Sequence, residues 1–92
     1  MAFVLVVKAS LCKPYAYWVE RFDGHCEARR AAGIEDLFRH PVIGEQAVVY
    51  AVRTMSPRAV HDMIYSPDVR PHVEDSGFII GSERILVCDA GA

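Results

Sequence analysis

Apolar residues run almost unbroken from Phe3 to Val7 (FVLVV) and again within Gln46 to Thr54 (QAVVYAVRT). A half-buried strand alternates apolar and polar positions. Short continuous runs rich in β-branched residues therefore predict two strands covered on both faces. Between them the spacing changes. Trp18, Phe22, His25 or Cys26, and Arg29 recur at helical intervals, with Tyr15 and Val19 flanking. Pro14 suits the first turn of that helix. The helix is predicted to reach about Ala32, where Gly33 ends it. Gly24 inside it costs about 1 kcal/mol against Ala, which implies a close approach or a bend. IEDLFRH, residues 34–40, reads as a short strand, and PVIGE as a turn.

Ser56-Pro57 marks the start of a second helix, with Ala59, Val60, Met63 and Ile64 on one side. Ser66-Pro67 restarts the chain into a further helical piece. Pro71 is expected to break or kink that piece, and Gly77 to stop it. Phe78 to Asp89 then reads as the last strand, with a bulge or bend at Gly81-Ser82. The order is β-α-β-β-α-β. This is the ferredoxin-like α+β pattern: a four-stranded antiparallel sheet with helices on one face. Strands one and three, the two greasiest, take its centre. Helices cover one face only, so the other needs a cover, and a second copy packed sheet against sheet supplies one. A homodimer through the sheet face is the expectation. A monomer whose strands carry surplus Val is the competing reading.

Composition sharpens this picture. At 92 residues, the chain reads as one domain over residues 1–92. A domain of this size hides only about 60% of its unfolded surface. Yet 52% of the residues are hydrophobic, more than a small monomer core needs. The formal net charge of −2, with scattered Arg, gives no basis for nucleic-acid binding. Cys12, Cys26 and Cys88 form no CxxC pair and read as buried small hydrophobes in a reducing compartment. The start, MAFVLVVKASLC, lacks a basic n-region, is interrupted at Lys8, and has Leu11 before Cys12, so it does not read as a signal. No run approaches ~18 apolar residues, so no membrane span is expected, and the cytoplasm is the expected location.

The candidate chemistry lies on the first helix. Trp18, His25 and Arg29 fall along one edge of the face that Val19, Phe22 and Cys26 present to the sheet. Trp18 could stack on a planar ligand, Arg29 could pair with an anionic oxygen, and His25 could move a proton near neutral pH. The competing reading makes Trp18 and Phe22 core, His25 half-exposed, and Arg29 a partner of Glu20, Glu27 or solvent. No partner carboxylate is identifiable for His25, which speaks against catalysis. Arg39 and His40 could close the cleft mouth, or simply end a strand before Pro41. Tyr50 lies in a central strand. Facing the helices, its hydroxyl needs a partner and could enter the cleft; facing away, it joins the dimer contact. The His and Cys residues show no zinc spacing, and His61 and His72 read as solvent-facing. There is no GxSxG, no GxGxxG and no P-loop, and adjacent His25 and Cys26 point about 100° apart. No metal and no cofactor is called for.

The arrangement Trp18, Phe22-Asp23, Arg29, Gly33-Ile34 and Leu37-Phe38-Arg39, with the segment Ser66 to Gly77 before the last strand, resembles a family of small bacterial proteins. By architecture these resemble the dimeric α+β barrels, whose best-known members are antibiotic-biosynthesis monooxygenases. The resemblance implies a dimer with a cleft between helices and sheet in each subunit. It also implies activities ranging from cofactor-free oxygenation and isomerisation to haem degradation. The haem-degrading branch relies on an Asn, and this chain contains none. No catalytic residue transfers. The reading is binding of a small, partly apolar organic molecule by Trp18, Phe22, His25, Arg29, Arg39 and Tyr50. The alternative is a non-catalytic dimeric interaction or regulatory module.

Overall fold

In the computed structural model, which describes residues 1–91, the chain runs β1 (Phe3–Ser10), α1 (Tyr15–Gly24), α2 (Cys26–Ala31), β2 (Glu35–Pro41), β3 (Ala47–Thr54), α3 (Ala59–Tyr65), α4 (Arg70–Asp75) and β4 (Arg84–Asp89). Ala92 lies outside the described residues. The strands form one sheet in the order β2-β3-β1-β4, with every neighbouring pair antiparallel. This is the ferredoxin-like arrangement, with the two apolar strands at its centre. No helix among the described residues is long and apolar enough to cross a membrane.

Register decides which side chains meet the helices. Leu5 pairs with Val52, Val7 with Tyr50 and Ala9 with Val48, and all six are buried. Directly paired residues point to the same face of a sheet. These six therefore form the face under the helices, where they meet Trp18, Val60, Ile64 and Phe78. Tyr50 thus faces the helices. The opposite face carries Val4, Val6, Val49, Ala47 and Ala51 in its middle, together with Lys8, Ser10 and Arg53, and is flanked by Phe38 of β2 and by Leu86 and Cys88 of β4. No element among the described residues covers it: Phe38 is 41% exposed and Leu86 63%.

Several boundaries differ from the sequence expectations. The first helix does not run through to Ala32. It breaks after Gly24, where His25 takes φ −104° and ψ 14° and its N–H bonds back to the Phe22 carbonyl at 3.2 Å. A Cβ built on Gly24 would meet nothing within 4 Å, so the glycine permits a bend and serves no close approach. Pro71 breaks nothing: it sits in the first turn of α4, where its missing N–H has no partner to lose. The last strand begins only at Arg84. Phe78 forms a lone bridge with Leu11. Gly81-Ser82 is a turn rather than a bulge, with the Ser82 N–H donating to the Ile79 carbonyl at 3.1 Å. The Ser82 hydroxyl fixes this turn to the sheet by accepting from the Ser10 N–H at 3.0 Å. β1 runs on to Ser10, and β2 extends through Pro41 with an irregularity between Asp36 and Phe38. Gly77, which stops α4, takes φ +93° and lies against Lys13, as only glycine can there.

Candidate functional site

The break after Gly24 turns α2 toward β2. One consequence is the buried ion pair of Arg29 and Asp36. Arg29 donates through Nε and Nη2 to the two Asp36 carboxylate oxygens at 2.8 and 2.7 Å, and through Nη2 to the Phe22 carbonyl at 2.6 Å. Its guanidinium also lies 3.6 Å from the Phe22 ring centre. Only 9% of the Arg29 side chain is exposed, against 22% of Asp36. The planar fork matches the carboxylate in both bonds, so the pair is geometrically fixed.

Phe22, held from behind by Arg29, stacks on Trp18 with ring centres 4.6 Å apart, and both rings approach Tyr50, at 5.0 and 5.9 Å. Between this aromatic group on one side and α3 and α4 on the other lies a cavity of about 140 Å³. Its walls are mostly apolar: Ile34, Val52, Val60, Met63, Ile64, Val73 and Phe78 join the aromatic residues. Tyr50, 5% exposed, rises from the sheet into this wall. Burial pushes its phenol well above the usual tyrosine range, so it is a neutral donor at any physiological pH.

The mouth is polar and lies between α1 and α4. His25 donates through Nδ1 to the Arg21 carbonyl at 2.9 Å, and its ring centre is 5.5 Å from that of His72. Arg21 reaches across to Asp75 at 3.4 Å while its guanidinium lies 3.6 Å from the Tyr17 ring centre. Lys13 also crosses, donating to the Asp75 carbonyl at 3.0 Å. The rim is thus tied by exposed polar contacts.

Of the residues the sequence singled out, Trp18, Phe22, His25, Arg29 and Tyr50 line this one cavity. Arg39 does not. Its guanidinium donates to both oxygens of Asp23 at 2.9 and 2.8 Å, and its carbonyl accepts from the Tyr15 hydroxyl. The Arg39 hydrogen bonds hold the Asp23 carboxyl below the usual carboxylate range. Arg29 pairs with Asp36 rather than with Glu20, Glu27 or solvent, and Glu27 is taken by Arg30. Sequence reasoning missed Asp36, whose spacing from Arg29 means nothing until the chain has bent between helix and strand. His72, read as facing solvent, is exposed as expected, and its ring also stands opposite that of His25 at the mouth. Among the described residues no group of three or more His, Cys, Asp or Glu side chains is placed to hold a metal ion.

No protein-family model matches the chain, and no curated protein matches it. Solved structures do. A structural-genomics protein, YJCS, is similar at 9% identity with a TM-score of 0.65, over 94% of this chain and 97% of that one. A Deinococcus radiodurans protein described as a candidate antibiotic biosynthesis monooxygenase is similar at 12% identity with a TM-score of 0.57, over 100% of this chain and 94% of that one. A monooxygenase from the gene ActVA-Orf6 of Streptomyces coelicolor, in complex with the ligand Nanaomycin D, is similar at 17% identity with a TM-score of 0.58, over 99% and 89% of the two chains. At these identities the likeness is one of fold. The chain has the α+β fold of the antibiotic-biosynthesis-monooxygenase-like proteins.

Proposed function

We propose that this chain binds a small, partly apolar organic molecule in the cavity between its helices and sheet, and that it works as a homodimer joined through the open face of the sheet. The cavity carries the first part. Protein interiors hold few voids larger than a water molecule. Here about 140 Å³ stands open behind Trp18, His25 and Arg29, with a polar mouth. An engineered apolar cavity of ~150 Å³ is known to admit benzene. A pure interaction module would have that space filled by neighbouring side chains. The fold neighbours support the reading, since one of them is a monooxygenase holding a ligand. Cofactor-free oxygenation or isomerisation of the bound molecule is the chemistry to assay.

A thermal-shift screen of small aromatic compounds tests the binding. Ligands that raise the melting temperature of the native chain should lose that effect in Trp18→Ala and His25→Ala. Unchanged shifts in both variants would remove the cavity from the reading.

The uncovered sheet face supports the dimer. Val4, Val6, Val49 and Ala51 form an apolar strip bordered by exposed Phe38 and Leu86, with Lys8 and Arg53 at its ends. Such strips on small proteins mark contact surfaces. Light scattering should give twice the chain mass. The exposed-site variants Phe38→Lys and Leu86→Lys should give a folded single chain. A native protein that stays monomeric at high concentration would sink the dimer.

A further inference from the structure

The polar groups around the cavity differ in how fully they are engaged. Arg29 is saturated by Asp36 and the Phe22 carbonyl. The Ser76 hydroxyl donates to the Val73 carbonyl and accepts from the Phe78 N–H. Arg21, His25 and His72 stand at the mouth, where His25 and His72 are exposed. Tyr50 is the exception. It is 5% exposed and lines the cavity, and its hydroxyl has no hydrogen-bond partner among the described residues. Yet no fully enclosed side-chain nitrogen or oxygen is left unsatisfied among those residues. The Tyr50 hydroxyl is therefore not fully enclosed, and the cavity is the space that Tyr50 lines.

Resting on the ligand-site reading above, we propose that the cavity takes an uncharged, single-ring compound whose ether, carbonyl or hydroxyl oxygen accepts a hydrogen bond from Tyr50. Volume sets the size, because ~150 Å³ accommodates one benzene ring. Charge sets the class. The one cation in the inner wall is already neutralised in both bonds by Asp36, so a carboxylate drawn inside would be buried without a counter-ion. The unfilled donor sets the polarity. An entirely apolar guest would seal the Tyr50 hydroxyl from water with nothing to bond to, and so forfeits the affinity of one hydrogen bond. The neutral state of that phenol keeps it a donor throughout the accessible pH range.

Isothermal titration of toluene, anisole, phenol and benzoate into native protein and into Tyr50→Phe tests this. In the native chain anisole and phenol should bind about five- to tenfold tighter than toluene, the value of one net hydrogen bond. Tyr50→Phe should erase that preference while still binding toluene. Benzoate should give no binding at neutral pH. If toluene matches anisole in the native chain, or Tyr50→Phe keeps the preference, the Tyr50 role is overturned and the cavity reading survives. If benzoate binds more tightly than anisole, the neutral class is overturned. If none of the four binds, the proposal and the ligand-site reading both fail. Should Tyr50→Phe not fold, the ranking in the native chain decides alone.

Discussion

Arg29 and Arg39 look alike in the sequence, one on a helix and one on a strand, yet the structure gives them unequal weight. Removing Arg29 strands a largely buried Asp36 carboxylate and frees the Phe22 ring from its backing. Arg29→Ala should lower unfolding free energy by about 3 kcal/mol, read from urea denaturation. Arg39→Ala should leave the urea midpoint nearly unchanged, because the Asp23 pair is solvated. Tyr50 makes a different kind of prediction. Its folded-state pKa is raised by burial above an unfolded value near 10. The folded state then holds its proton longer than the unfolded state does. The stability this contributes is present below about pH 10 and is lost as pH rises further, at up to ~1.4 kcal/mol per pH unit. Urea midpoints measured at about pH 9 and pH 11 should fall steeply in the native chain and less steeply in Tyr50→Phe. Much of the site was legible at this scale, since Trp18, Phe22, His25 and Arg29 share a helical stripe in the sequence. Which of them are free was not legible, because partners such as Asp36 are assigned by a bend.

That bend belongs to the level of elements, where glycines divide by environment. Gly24 has open space around it, and its role is to cost the helix little when it turns. Gly24→Ala should be neutral or stabilising by up to ~1 kcal/mol. At Gly77 an added Cβ would lie 2.7 Å from the Lys13 Cβ on a backbone of φ +93°. Gly77→Ala should destabilise by more than ~1 kcal/mol, and thermal melts of the two variants should move in opposite directions or leave Gly24→Ala unmoved. The β-α-β-β-α-β order was readable because β1 and β3 are apolar at consecutive positions and the helical stripe between them is strong. The late start of β4 was not readable. Phe78 and Ile80 look like strand residues, but Phe78 is taken by the core and the following turn is pinned by Ser82. Likewise Pro71 reads as a breaker unless a new helix is known to begin beside it.

In the whole molecule, the two faces of the sheet have opposite fates. One is covered by the four short helices of the described residues, which wall the aromatic cavity and leave its mouth between α1 and α4. The other lies open along Val4, Val6 and Val49, with exposed Phe38, Leu86 and Cys88 among its flanking residues. Surplus hydrophobicity announced that open face from composition alone, whereas the cavity required knowing how the helices diverge. Across the mouth, α1 and α4 are laced by Arg21 to Asp75, by Lys13 to the Asp75 carbonyl and by the facing imidazoles. Those ties are weak, wet and partly ionic, and on the proposed ligand-site reading a guest would slip past them to reach the aromatic walls. Added salt loosens such contacts without touching the dry interior. Followed by stopped-flow emission of Trp18, the capture of an uncharged guest should accelerate as sodium chloride is raised, and its escape should accelerate in step. The dissociation constant should then stay close to constant while the residence time shortens.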